Sequence, residues 1–165
     1  MGLLSFIKEA GEKLFHKGEA KAAIAEAQAD PAAEEKAKAA SDAAGDAIVT
    51  YIHALDLDAT GLLVNFDAKS GGVTVFGVAP DQMTREKIVL CCGNVAGVSS
   101  VNDMMSVDQS AEEATFYTVV SGDNLSKISK AFYGNANEYM KIFEANRPML
   151  THPDKIYPGQ MLRIP

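Results

Sequence analysis

The stretch from Phe116 to Pro165 constrains the fold more than any other part of this chain. Phe116-Tyr117-Thr118-Val119 suits a short strand, and Ser121-Gly122-Asp123-Asn124-Leu125-Ser126 turns the chain directly into a helix. Asp123 and Ser126 are expected to accept from the orphan amides at that helix start. Leu125, Ile128 and Phe132 follow at helical spacing, and Tyr133-Gly134-Asn135 stops the helix. A second apolar set, Tyr139, Ile142 and Phe143, ends at Asn146-Arg147-Pro148. In Tyr157-Pro158-Gly159-Gln160, proline sets φ at the first central position and glycine permits positive φ at the second, which predicts a type II turn. Leu162-Arg163-Ile164 then returns as a strand.

This βααβ unit resembles the LysM domain, with Asn124 where that family commonly has threonine. LysM domains generally bind N-acetylglucosamine polymers such as peptidoglycan in a shallow groove between the first turn and the last. The resemblance implies a groove lined by Gly122, Asp123, Asn124 and Leu125, with Ile156, Tyr157 and Pro158 opposite.

At 165 residues the chain has room for one ordinary domain or two small ones. Its formal net charge of −7 argues against nucleic-acid and anionic-membrane partners, which select basic surfaces. No apolar run approaches membrane-spanning length. Met1 to Ala10 has no basic start, long apolar stretch or small-residue cleavage site, and Phe6 stands where myristoylation wants serine or threonine. A cytoplasmic, monomeric protein is expected. Cys91 and Cys92 are adjacent within an apolar helical run, too close for ordinary disulfide geometry, and are expected to pack as small hydrophobes. The three histidines, His16, His53 and His152, lie far apart in the sequence. No Ser/His/Asp or Cys/His set and no marked carboxylate pair emerges, so catalysis is not expected.

Leu3, Phe6, Ile7, Ala10 and Leu14 fall on one stripe opposite Lys8, Glu9, Glu12 and Lys13, which predicts an amphipathic helix over residues 3–15. Its polar face balances acid and base, so docking onto a folded domain is favoured over lipid. An alanine-rich, charged stretch from Glu19 to Ala47 favours helix but has little bulk to bury. From about Ser41, Ile48, Ile52 and Leu55 predict a helix ending near Asp56. Leu62, Val64 and Phe66 alternate with polar or outward positions as a strand, Ser70-Gly71-Gly72 turns, and Val73, Val75 and Gly77 return. Asp81 is a plausible N-cap for a helix burying Ile88, Cys91, Cys92 and Val95, and Val98 to Val101 predicts a third strand. Ser106 to Thr115 reads as an acidic connector.

This αββαβ order, with Gly77 closing the hairpin and Gly93-Asn94-Val95-Ala96-Gly97-Val98 before the last strand, resembles the BON domain. The fold class expected is therefore α+β. The N-terminal helix and alanine-rich segment take residues 1–40, BON 41–107, a linker 108–115 and LysM 116–165. A BON domain followed by LysM resembles the small cytoplasmic potassium-binding BON–LysM proteins of enteric bacteria. The likeness is strongest at Gly2 to Leu14, at Gly93 to Val98, and from Phe116 to Pro165.

K⁺ is held selectively by several neutral backbone carbonyls, so a site for it needs converging main chain and no signature side chain. Glycine gives the Gly93–Val98 loop that freedom, and a helix end near Ala10-Gly11 leaves orphan carbonyls. The resemblance implies that the N-terminal segment and this loop hold the ion together, through Ile7, Ala10, Gly93, Val95 and Val98. Rb⁺ and Cs⁺ are expected to substitute better than Na⁺. An ion bridging two elements stabilises only their docked arrangement, and LysM docking would follow it. The competing function is a cell-envelope LysM protein binding peptidoglycan fragments or a protein partner. The absence of an export signal speaks against the glycan.

Overall fold

The spacing of Ala44, Ile48 and Ile52, four residues apart and fully buried, makes one apolar stripe along the first described helix, α1 (Glu34–Ala54). The structure is a computed structural model and describes residues 3–5 and 34–165. α1 begins at Glu34, so the later part of the alanine-rich stretch is helical; the earlier part lies outside the described residues. The stripe packs on a sheet, and Gly45 lies directly against it. A Cβ there would stand 2.1 Å from the Val64 carbonyl oxygen, so only glycine lets the helix approach that far.

Strands β2 (Thr60–Asp67) and β3 (Gly72–Asp81) form the expected hairpin, with Phe66 opposite Val73 and Val64 opposite Val75. Val64, Phe66, Val73 and Val75 are buried, as their alternation requires. Gly77 does not close this hairpin. It lies within β3 beside the register shift between Thr60 and Leu63, with φ of 144°, where a Cβ would come within 3.2 Å of the Leu62 Cα. Asp81 caps α2 (Gln82–Gly93) by accepting from the Thr84 amide at 2.7 Å. β4 (Ser100–Asp103) then runs parallel to β3, and Arg85 of α2 donates to Asp103 at 2.8 Å.

Two expectations are corrected here. The connector read from Ser106 onward starts with a strand, β5 (Ser106–Gln109), paired parallel with the second half of β3 and packing Val107 on the core. A single apolar residue among acids and serines gives no periodicity, so only the vacant edge of β3 reveals this strand. At the other end, Leu3–Ser5 is a strand, β1, antiparallel to β4, and not the start of a helix. Main-chain pairing to the edge of β4 outweighs the helical propensity of three residues. Residues 6–15 of the expected helix lie outside the described residues. The sheet order is β1-β4-β3-β2, with β5 beside β3.

The C-terminal unit pairs β6 (Thr115–Thr118) antiparallel with β7 (Met161–Ile164) and holds α3 (Leu125–Tyr133), a 3₁₀ turn at Ala136–Glu138 and α4 (Tyr139–Ala145). Its core is Val119, Leu125, Ile128, Ile142, Phe143, Leu150, Leu162 and Ile164. Gly134 ends α3 in the left-handed region at φ 74°, and Gly159 at φ 87° with the Gln160 amide donating to the Tyr157 carbonyl makes the expected tight turn. The N-cap is Asn124, accepting from the Lys127 amide at 2.9 Å, and neither Asp123 nor Ser126. Asp123 instead ties the preceding turn, accepting from the Tyr117 hydroxyl at 2.8 Å and the Val120 amide at 3.0 Å.

Candidate cation site and domain interface

The loop from Gly93 to Val98 leaves α2 at Asn94, whose amide donates to the Leu90 carbonyl at 3.0 Å. Val95 donates to Cys92 and Val98 donates to Val95, at 3.3 and 3.1 Å, so the loop is a pair of tight turns with Gly97 at φ 95°. Val95 and Val98 are buried by their side chains. These bonds engage the carbonyls of Leu90, Cys92 and Val95. Among the described residues, no loop hydrogen bond engages those of Gly93 or Val98. A carbonyl oxygen carries two lone pairs, so Val95 keeps one to offer.

The β1–β4 register sets Leu3–Ser5 beside this loop. Leu3 faces Asn102 and Ser5 faces Ser100, so Ser5 lies at the end of β4 that adjoins Val98. Ile7 and Ala10 lie outside the described residues. Among the described residues, no group of three His, Cys, Asp or Glu side chains is arranged to hold a metal ion. Cys91 and Cys92 are buried and unbridged, and burial pushes both thiols well above their ordinary range.

Immediately beside this loop the two units meet. Met149, Met161 and Phe116 of the C-terminal unit pack on the core of the N-terminal one. Glu86 of α2 and Arg163 of β7 pair across the junction, with side chains only 5% and 9% exposed. Glu86 also accepts from Gln82 Nε2 and from the Ala114 amide, both at 2.9 Å, so three donors converge on one buried carboxylate. Neighbouring Lys87 has its pKa lowered by loss of solvent and, secondarily, by Arg163. Asn94 reaches over from the loop, its Nδ2 donating to the Met161 carbonyl and its Oδ1 accepting from the Met161 amide, both at 3.2 Å. None of these three residues was legible as functional in the sequence; an isolated Glu, Arg or Asn carries no spacing signal.

The walls of the expected glycan groove are adjacent, because the Val119 amide donates to Gln160 and the Gly159 amide to Val119, both at 2.8 Å. Gly122, Asn124 and Pro158 are exposed, Asp123 and Ile156 half-buried, and Leu125 buried in the core. Lys127 Nζ donates to the Gly122 carbonyl at 2.7 Å. Tyr157 differs from the exposed part of the groove: its hydroxyl is buried, with no hydrogen-bond partner among the described residues, and burial pushes its phenol up to about 12.

A BON domain and a LysM domain, joined through a buried ion pair, define the class of this protein. Family models agree, with the BON domain matching residues 55–109 and the LysM domain residues 117–165. The chain is 43% identical over 169 residues to a protein of Escherichia coli O6:H1 named "Potassium binding protein Kbp", covering 100% of this chain and 99% of that one. It therefore belongs to the same BON–LysM family as that protein. An uncharacterized protein of Deinococcus radiodurans is 44% identical over 82 residues, spanning 43% of this chain and 32% of its own length.

Proposed function

We propose that this protein binds K⁺, and that backbone carbonyls of Gly93, Val95 and Val98, together with Ile7 and Ala10 of the N-terminal segment, hold the ion. What supports the assignment is that β1 ends with Ser5 opposite Ser100, two residues beyond Val98, and that among the described residues no loop hydrogen bond engages the Gly93 or Val98 carbonyls. The name of the Escherichia coli relative supports the choice of ion. Main-chain oxygens suit K⁺ because they replace its weakly held water without imposing charge, and their spacing penalises a smaller ion. Rb⁺ and Cs⁺ substitute in the same cage.

An ion held between the N-terminal segment and the loop favours the arrangement in which both are in place. Because Asn94 of that loop also touches β7, occupancy biases the docking of the LysM domain by the ion's differential affinity for the two arrangements. The protein works as a monomeric binding and sensing module of the cytoplasm, with neither nucleic acid nor membrane as partner and without catalysis. No helix among the described residues is long and apolar enough to cross a membrane. The test is calorimetry of protein freed of alkali ions, titrated with KCl and NaCl at matched ionic strength. K⁺ binds and Na⁺ binds far more weakly; equal affinities would overturn the assignment.

Glycan binding through the LysM groove is the second reading, favoured by the adjacency of its two turns. Against it, the Tyr157 hydroxyl is buried and so is withdrawn from a ligand in the groove. Failure to co-sediment with purified peptidoglycan at high protein concentration removes it.

A further inference from the structure

β7 pairs with β6 along one edge, with Thr118 opposite Met161 and Phe116 opposite Arg163. Its other edge is closed by two asparagine side chains. Asn146, at the end of α4, donates Nδ2 to the Arg163 carbonyl and accepts from the Arg163 amide at Oδ1, both at 2.8 Å, and donates also to the Ile142 carbonyl at 2.7 Å. Asn94 does the same to Met161, two residues earlier, with both distances at 3.2 Å. Alternate residues of a strand present their N–H and C=O to the same edge, so the two carboxamides stand in for one missing neighbouring strand. One carboxamide belongs to the LysM domain itself and is buried; the other comes from the BON domain, is longer, and is only half-buried.

From this pairing we infer that Asn94 is the positioning residue through which the ion loop holds or releases the LysM domain. The inference rests on the K⁺ reading above. Asn94 lies between two proposed ligands, Gly93 and Val95, and the peptide that carries the Gly93 carbonyl ends in the Asn94 N–H, so turning that carbonyl toward an ion changes φ at Asn94 and redirects its carboxamide. A carboxamide that meets both groups of one residue tolerates little displacement, since hydrogen bonds weaken steeply with angle. The Asn146 pair is insulated from that motion because it is contained within the LysM domain. The LysM fold therefore persists while its attachment responds to the ion.

The experiment compares the full-length protein with its Asn94→Ala variant, each with and without K⁺, by calorimetry and by residue-resolved amide hydrogen exchange. In the unaltered protein K⁺ slows exchange of the Met161 amide at least tenfold, while the Arg163 amide is protected in both conditions. In Asn94→Ala the Met161 amide exchanges rapidly with or without K⁺, Arg163 stays protected, which shows the LysM domain folded, and K⁺ binding weakens several-fold without being abolished. If K⁺ binds the unaltered protein but Met161 exchange ignores it, or if the variant retains the full K⁺ response, the role of Asn94 is overturned and the ion site stands. If the unaltered protein binds no K⁺, the ion reading and the coupling fall together. Loss of Arg163 protection in the variant also overturns the inference, because Asn94 would then support the LysM fold itself.

Discussion

The Glu86–Arg163 pair makes a quantitative claim about how the two domains are held. Both side chains are more than nine-tenths buried, so removing either partner leaves a charge in a medium that solvates it poorly. Such single removals cost about 3–5 kcal/mol, which is a hundredfold to a few thousandfold in an equilibrium constant. The two partners are not equivalent. In Arg163→Met, Glu86 keeps the Gln82 and Ala114 donors, so the loss falls at the lower end, about 3 kcal/mol. In Glu86→Gln, the guanidinium loses the carboxylate that faces it, and the loss falls at the upper end, about 4–5 kcal/mol. The double variant buries a neutral amide against a thioether and returns to within about 1 kcal/mol of the unaltered protein. Urea unfolding followed by circular dichroism measures all four corners of this cycle, and the chain's lack of tryptophan leaves tyrosine fluorescence to report on the junction. If undocking precedes unfolding in the single variants, their transitions split in two. Single losses below about 1 kcal/mol, or a double variant that simply adds the two, would refute the claim that this pair is buried between docked domains.

Other expectations follow from neighbouring residues. The Tyr157 phenol is raised from 10.0 to about 12 by burial, so its contribution is fully present below pH 10 and is lost as pH climbs through about 12. Stability should fall across that window by roughly 1–3 kcal/mol, and Tyr157→Phe should remove that share of the fall while leaving neutral-pH stability unchanged or higher, since it deletes a buried hydroxyl with no partner among the described residues. Alkaline unfolding of both proteins reads this directly. Gly97→Ala forces a side chain onto φ 95°, at a cost of about 1–3 kcal/mol, and should weaken K⁺ binding tenfold or more by calorimetry. Gly45→Ala places a methyl 2.1 Å from the Val64 carbonyl and should lower stability by about 1–3 kcal/mol in thermal unfolding, with K⁺ selectivity retained.

Local chemistry was sufficient for much of this protein. Alternation placed Val64, Phe66, Val73 and Val75 inside, helical spacing placed Ile48 and Ile52 inside, and Asp81, Gly134 and Gly159 act at the turns and caps their chemistry suits. The BON and LysM resemblances could be read because both domains are built from such short-range signals. Where a competition between neighbours decided the outcome, sequence reasoning missed by a residue: Asn124 takes the cap because Asp123 is drawn back to Tyr117 and Val120. Strands β1 and β5 were missed for a different reason. Their residues have little preference of their own, and what makes them strands is an open edge supplied by distant β4 and β3.

The same division applies to the site. Sequence alone marked the Gly93–Val98 loop as backbone free to turn its carbonyls, because glycine at each end is a local property. That the loop's own asparagine grips β7 and that Glu86 meets Arg163 in a nearly dry junction are both contacts between residues far apart in the chain. Such contacts have no periodicity and no motif. They exist only once two hydrophobic surfaces have come together and excluded the water that would otherwise have satisfied those polar groups.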